Sequence, residues 1–176
     1  MIRFGLLILS IVIVAHAVEK DIPPPIPSLK TIVLENVQVG VQELDQKLTK
    51  VSHPDKIAKA LVADHHQKLI LKFSIKDKSS GENVKVHQSF VRLALNDAEI
   101  IFVAERDKSG TYKFDLDIGA KIEEFNSISG TYAMSVIIGD TAISNPINWH
   151  LADVKFDFPG NLQLTLKLKS LLGCKL

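Results

Sequence analysis

From Lys30 onward, apolar and polar side chains alternate with a period of two. Leu69, Leu71, Phe73 and Ile75 interleave with Ile70, Lys72, Ser74 and Lys76. Tyr112, Phe114 and Leu116 interleave with Lys113, Asp115 and Asp117, and Val154, Phe156 and Phe158 with Lys155 and Asp157. Successive side chains of an extended chain point to opposite faces, so this spacing predicts half-buried β-strands. Ile100 to Ala104 and Met134 to Ile138 are more continuously apolar, which predicts central strands. Val84, Val86 and Phe90 keep one phase, whereas Val91, Leu93 and Leu95 keep the other. One extra residue near Phe90, a β-bulge, would produce that slip.

Polar clusters separate these runs: Lys78-Ser79-Ser80-Gly81, Asp107-Lys108-Ser109-Gly110, Ile128-Ser129-Gly130 and Gly139-Asp140. Short strands punctuated in this way predict an all-β fold, an antiparallel β-sandwich of immunoglobulin-like type, rather than βαβ units. Pro54 to Val62 holds the one helix-compatible spacing, through Ile57, Ala58 and Leu61. Ile57 to Val62 also reads as a strand turning at Asp64-His65-His66-Gln67, and the strand reading is preferred. No repeat of 20–50 residues is visible.

The ends of the chain have a different character. Met1-Ile2-Arg3, the apolar run Phe4 to Ala15 and the small residues of Ala15-His16-Ala17 form the basic, apolar and cleavage regions of a secretory signal peptide. Asp21-Ile22-Pro23-Pro24-Pro25-Ile26-Pro27 holds four of the seven prolines and predicts a stiff, extended tether. The expected organisation is therefore signal peptide over 1–17, tether over 18–29, β-sandwich domain over 30–160 and a short tail over 161–176. Cys174 is the only cysteine of the 176 residues, so no intramolecular disulfide is possible and the domain must stand on its core. Arg3 is the one charged residue of 1–17 in a chain of 21 basic and 20 acidic side chains. The remainder is neutral, with no electrostatic footprint for nucleic acid or for an anionic membrane surface.

Candidate chemistry is sparse. There is no G-x-S-x-G elbow, no clustered-glycine phosphate loop, and no H-E-x-x-H or C-x-x-C spacing. His65 and His66, with Asp64 before them and His53 and His87 elsewhere, read as polar turn residues; in a strand, adjacent side chains could not chelate one ion. Asp115 and Asp117 share one strand face, with Glu123 and Glu124 nearby. Acid–base catalysis needs two carboxyls in differing environments across a cleft, whereas these two alternate with Lys113 on a solvated face. Trp149, after the Asn145-Pro146 turn, reads as a core anchor rather than a sugar platform. Catalytic, cofactor-binding and metal residues are all expected to be none.

Two long stretches carry a resemblance. One runs from Val86-His87-Gln88-Ser89-Phe90-Val91-Arg92-Leu93 through Val103-Ala104-Glu105 to Tyr112-Lys113-Phe114-Asp115-Leu116-Asp117. The other runs from Ser129-Gly130-Thr131-Tyr132 through Ile137-Ile138-Gly139-Asp140 to Asn145-Pro146-Ile147-Asn148-Trp149, closing with Ala152-Asp153-Val154. Together with Lys30 to Val39 and the Asp64-His65-His66 turn, they resemble the membrane-proximal lumenal region of the ribophorin II family, subunit 2 of oligosaccharyltransferase. The resemblance implies a non-catalytic accessory subunit of the complex that N-glycosylates proteins in the endoplasmic reticulum lumen. It implies other oligosaccharyltransferase subunits, catalytic and accessory, as partners, and no cofactor. The alternative is a secreted or lumenal β-sandwich binding module outside the complex.

Family members continue into transmembrane helices after the position of Pro159. Here Leu162, Leu164, Leu166 and Leu168 alternate with Gln163, Thr165, Lys167 and Lys169. That is a strand pattern, too short and too charged to cross a bilayer. The expected membrane association is therefore through partners. The signal region predicts a mature chain beginning at Val18, and no Asn-X-Ser/Thr sequon occurs. N-terminal sequencing that returned Met1, or a mobility shift on endoglycosidase treatment, would contradict this.

Overall fold

The computed structural model describes residues 29–42 and 46–159, and the signal, tether and tail expectations fall outside them. Ten strands follow in order: β1 (Ile32–Gln42), β2 (Gln46–Lys50), β3 (Leu61–Asp64), β4 (Lys68–Asp77), β5 (Gln88–Leu95), β6 (Ala98–Val103), β7 (Glu105–Arg106), β8 (Thr111–Asp117), β9 (Gly130–Gly139) and β10 (Ile147–Asp157). A 3₁₀ helix, Gly119–Phe125, lies between β8 and β9. The strands form two five-stranded sheets, β2-β1-β4-β8-β7 and β3-β10-β9-β5-β6. This is the β-sandwich that the two-residue period predicts. One pair departs from the antiparallel pattern, since β3 runs parallel to β10.

Alternation becomes burial strand by strand. Leu69, Leu71, Phe73 and Ile75 of β4 face Tyr112, Phe114 and Leu116 of β8 on the inside, while Lys113, Asp115 and Asp117 are exposed. Trp149 is 4% exposed, and its indole N–H donates to the carbonyls of Pro54 and Asp55, both at 3.1 Å. It is an anchor for the loop before β3, as expected of a buried indole with its one donor satisfied. The Tyr132 hydroxyl donates to the Ile128 carbonyl at 2.8 Å. This tie to a backbone a few residues upstream is of the kind found at the tyrosine corner of immunoglobulin-type sandwiches. Burial pushes that hydroxyl's pKa up.

Three expectations need correction. The phase slip near Phe90 is no bulge. The N–H of Val84 donates to Ile75 beside β4, and the chain then crosses to the other sheet before β5 begins at Gln88. The two phases belong to two sheets. True register shifts occur between Glu35 and Gln38 and between His150 and Ala152. The first lets Ile32 and Val37 both enter the core, and the second does the same for Leu151 and Ala152. Pro54 to Val62 holds neither a helix nor a full strand, because extended pairing begins only at Leu61. Finally, Ile100 to Ala104 is not central: β6 is the last strand of its sheet.

The 3₁₀ helix carries no apolar period and was not foreseen. It packs the buried Phe125 against the second sheet, with ring centroids 5.1–6.3 Å from Phe102 of β6, Tyr132 of β9, Phe156 of β10 and the following Phe158. Its start needs Gly119, where a Cβ would meet the His65 carbonyl oxygen at 2.5 Å.

Carboxylates clasp the turns. Asp77 and Asp107 each accept the N–H and the hydroxyl of the serine two residues on, Ser79 and Ser109. The Ser79 N–H and then its hydroxyl hold Asp77 below the usual carboxylate range. The Lys113 ammonium and then Ser109 do the same for Asp107. Asp140, with its side chain buried, accepts the N–H of Ala142 and that of His87, and its pKa falls to about 2. Lys56 and then His150 lower Asp153.

Two outcomes follow. Phe125→Ala should lower stability by about 3–5 kcal/mol in denaturant melts, whereas Asp115→Ala should stay within about 0.5 kcal/mol. The depressed carboxylates favour the folded state at any pH above the unfolded carboxylate value of about 3.9. That contribution is lost as pH falls through the folded values. Stability should therefore be flat from pH 7 to about 5 and decline between about 4 and 2, with Asp140→Asn giving a shallower decline.

Candidate functional site

Two strands of the second sheet are apolar on both faces, and in a two-layer sandwich only one face is covered. Ile100 and Phe102 of β6 turn inward against the core, while Ile101 and Val103 turn outward and are 53% and 61% exposed. Register continues the apolar surface across the sheet. Val103 pairs with Phe90 of β5, and Phe90 pairs with Ile137 of β9. Phe90 and Ile137 are both partly exposed. The outer face thus carries an apolar band across three strands, flanked by Arg92, whose guanidinium lies 3.6 Å from Glu99. Such a contiguous patch, unlike single exposed leucines, marks an interaction surface.

The edge of β6 adds to this surface. Edge strands are ordinarily guarded by lysines, proline, bulges or brevity. By those measures β2 carries Lys47 and Lys50, β7 has two residues and β3 has four. β6 has six, Ala98-Glu99-Ile100-Ile101-Phe102-Val103, with no lysine, no proline and no strand beyond it among the described residues. The sequence signal was the same apolar run that suggested a central strand. The cue to an edge was present too. β5 and β6 form a tight hairpin at Asn96-Asp97, and the chain then leaves for the other sheet at Ala104.

Beside β6 the open flank of the sandwich forms a groove of about 580 Å³. Phe102, Phe114 and Leu116 give it an apolar floor, and Glu105, Asp107, Lys113, Asp115 and Lys121 stand around it. Asp107 and Lys113 are paired at 2.7 Å.

The residues weighed for chemistry do not assemble. Asp115 and Asp117 are exposed on the outer face of β8, and Asp117 lies 3.8 Å from Lys68. Glu124 pairs with Lys121 at 2.6 Å on the 3₁₀ helix, which also carries Glu123. His65 and His66 sit in the β3–β4 turn with ring centroids 3.7 Å apart, so the opposite-face argument for a strand does not apply to them. His53 packs edge-on to Trp149 at 5.2 Å. His87 stands 2.6 Å from the Asp140 carboxylate. Among the described residues, no group of three His, Cys, Asp or Glu side chains converges as a metal site would require. Cys174 lies outside the described residues. What this surface offers chemically is apolar contact and strand pairing, which suits binding.

Comparison with known proteins places these elements in a lineage. The family model described as Ribophorin II third domain matches residues 35–156, from within β1 to within β10. A Caenorhabditis elegans protein named dolichyl-diphosphooligosaccharide–protein glycosyltransferase subunit 2 is 32% identical over 134 residues, 73% of this chain and 48% of that protein. The rice protein of the same name is 26% identical over 134 residues, 73% of this chain and 19% of that protein. The chain spans about half the length of the first relative and about a fifth of the second.

Proposed function

The chain belongs to the ribophorin II family, and on that premise we propose that it is a non-catalytic accessory subunit of oligosaccharyltransferase. Its place is the endoplasmic reticulum lumen, held at the membrane by its partners, where the complex transfers glycans to asparagine side chains. Its partners are the catalytic and the other accessory subunits of that complex. The observation that carries this reading is that the family's third domain accounts for both sheets, including the strands that build the outward apolar band. The relatives' shared name supplies the complex.

The band suits such a role physically. Ile101 and Val103 lose nothing by being covered, and burying apolar area contributes about 25 cal/mol per Å². A neighbouring subunit laid over β6, β5 and β9 would supply the third layer that these two-faced strands lack. Among the described residues no helix is long and apolar enough to cross a membrane.

The test is affinity purification of the tagged chain from detergent-solubilised microsomes, followed by mass spectrometry. The catalytic subunit should be recovered with the wild type. Recovery should drop at least tenfold with Ile101→Lys and Val103→Lys together, while the melt of this variant shifts by less than about 0.5 kcal/mol per site. Catalytic subunit absent from the wild-type eluate, with the chain in the medium, would replace the accessory-subunit reading with a secreted binding module.

A further inference from the structure

The outward band has one cationic side chain set into it. Arg92 of β5 pairs in register with Ile101 of β6 on one side and with Ser135 of β9 on the other. Phe90, two residues away on the same face of the strand, belongs to the row of Val103 and Ile137. In the opposite direction the next row holds Ala94 and Ala133, which pair with each other. The guanidinium is therefore bordered by Ile101 and Phe90, with two alanines beside it over which a foreign side chain can lie.

Its own chain leaves Arg92 poorly matched. Nε is shielded from solvent and has no hydrogen-bond partner among the described residues. Nη1 stops 3.6 Å from the carboxylate of Glu99, beyond hydrogen-bond reach, and Glu99 itself is more exposed than buried. The carboxylate across the sheet, that of Asp153 opposite Ala133, is already engaged. Lys56 holds it at 2.8 Å and His150 at 2.9 Å.

Covering the band changes what Arg92 needs. While the face is open, bulk water solvates the fork. A neighbouring subunit laid over Ile101, Val103 and Phe90 displaces that water, and a guanidinium buried without acceptors is strongly unfavourable. A carboxylate removes the penalty, because its two oxygens match the planar fork and accept two parallel N–H bonds. An arginine ringed by apolar contacts that exclude water is also the usual composition of an interface hot spot.

We infer that the neighbouring subunit presents an Asp or Glu carboxylate, set among apolar side chains, to Arg92. The inference rests on the reading that another subunit covers the band, and it names the chemistry that subunit carries there. Ile101, Val103 and Phe90 supply contact area. Arg92 selects among apolar surfaces, since one without a carboxylate would strand the charge.

The tagged full chain, purified from detergent-solubilised microsomes, is compared with Arg92→Met, Arg92→Lys and Glu99→Gln. Methionine keeps the apolar stem and removes the charge. Recovery of oligosaccharyltransferase subunits should fall by about tenfold or more with Arg92→Met and less with Arg92→Lys. With Glu99→Gln it should equal or exceed the wild type, and all the variants should melt at the wild-type temperature. In the combined variant Arg92→Lys, Glu99→Gln, a zero-length carbodiimide should join position 92 to an Asp or Glu of another subunit, as read by peptide mass spectrometry. If Arg92→Met unfolds, that link decides alone. Equal recovery with the wild type and a folded Arg92→Met would overturn the inference and leave the accessory-subunit reading standing. A loss with Glu99→Gln as large as with Arg92→Met would show that the pair closes within the chain, and a link only to a second copy of this chain would make the band a self-interface. Either result overturns the inference. No oligosaccharyltransferase subunit recovered with the wild type would remove the reading itself, and the inference with it.

Discussion

Phe125 is the contact on which the open flank of the sandwich depends, where it closes the second sheet beside the Phe102–Phe114 ring pair that joins the two layers. With no disulfide available to the domain, the layers are held by packing alone, and at the flank where β8 gives way to β9 there is no strand to do it. A single 3₁₀ turn carries one ring inward to touch Phe102 of one strand, Tyr132 and Phe156 of two others, and Phe158 where the described chain ends. Edge-to-face and tilted ring contacts of this kind add to the area they bury. The geometry has a local requirement as well. The turn starts at Gly119 because the His65 carbonyl occupies the space a Cβ would take. The β3–β4 turn, which looked like a candidate for metal chemistry, is therefore part of the scaffold under Phe125.

Around that contact the inner faces are satisfied and the outer face of one sheet is not. A strand apolar on both sides belongs in a three-layer arrangement, and this molecule supplies two layers. The band formed by Val103, Phe90 and Ile137, together with an unguarded edge at β6, is where the third layer is missing. The proposed role gives that gap a meaning, because a subunit of an assembly would be covered there by its neighbours. The acidic clasps at Asp77, Asp107 and Asp140 concern the loops that join strands, and they keep the ends of the sandwich ordered at neutral pH without contributing to the binding face.

The inner half of the fold was legible in the sequence because burial of alternate residues leaves a period of two in the composition of each strand. Phe114 in and Asp115 out could be read directly. Sheet membership could not. The change of phase before Val91 looked like a bulge because alternation carries no information about which sheet a strand enters. The bulges at Glu35–Gln38 and His150–Ala152 were invisible for the complementary reason, since the residues they add are short or apolar and leave the pattern nearly intact. The helix bearing Phe125 has one buried residue in seven, too few to make a period. The outward band was only half legible: the continuous apolar run Ile100 to Ala104 read as a central strand, whereas β6 is an edge strand on which Ile101 and Val103 face outward.

The account's central claim is that this outward band is covered by another subunit of the glycosylating complex. A photoreactive amino acid placed at Val103 in cells, with a control at Lys155 on the same sheet, measures that most directly. Crosslinking from position 103 to an oligosaccharyltransferase subunit, with none from position 155, is the predicted result. Equal labelling from both positions, or labelling of water alone at position 103 while the chain co-purifies with the complex, would show that the subunit is held by some other face.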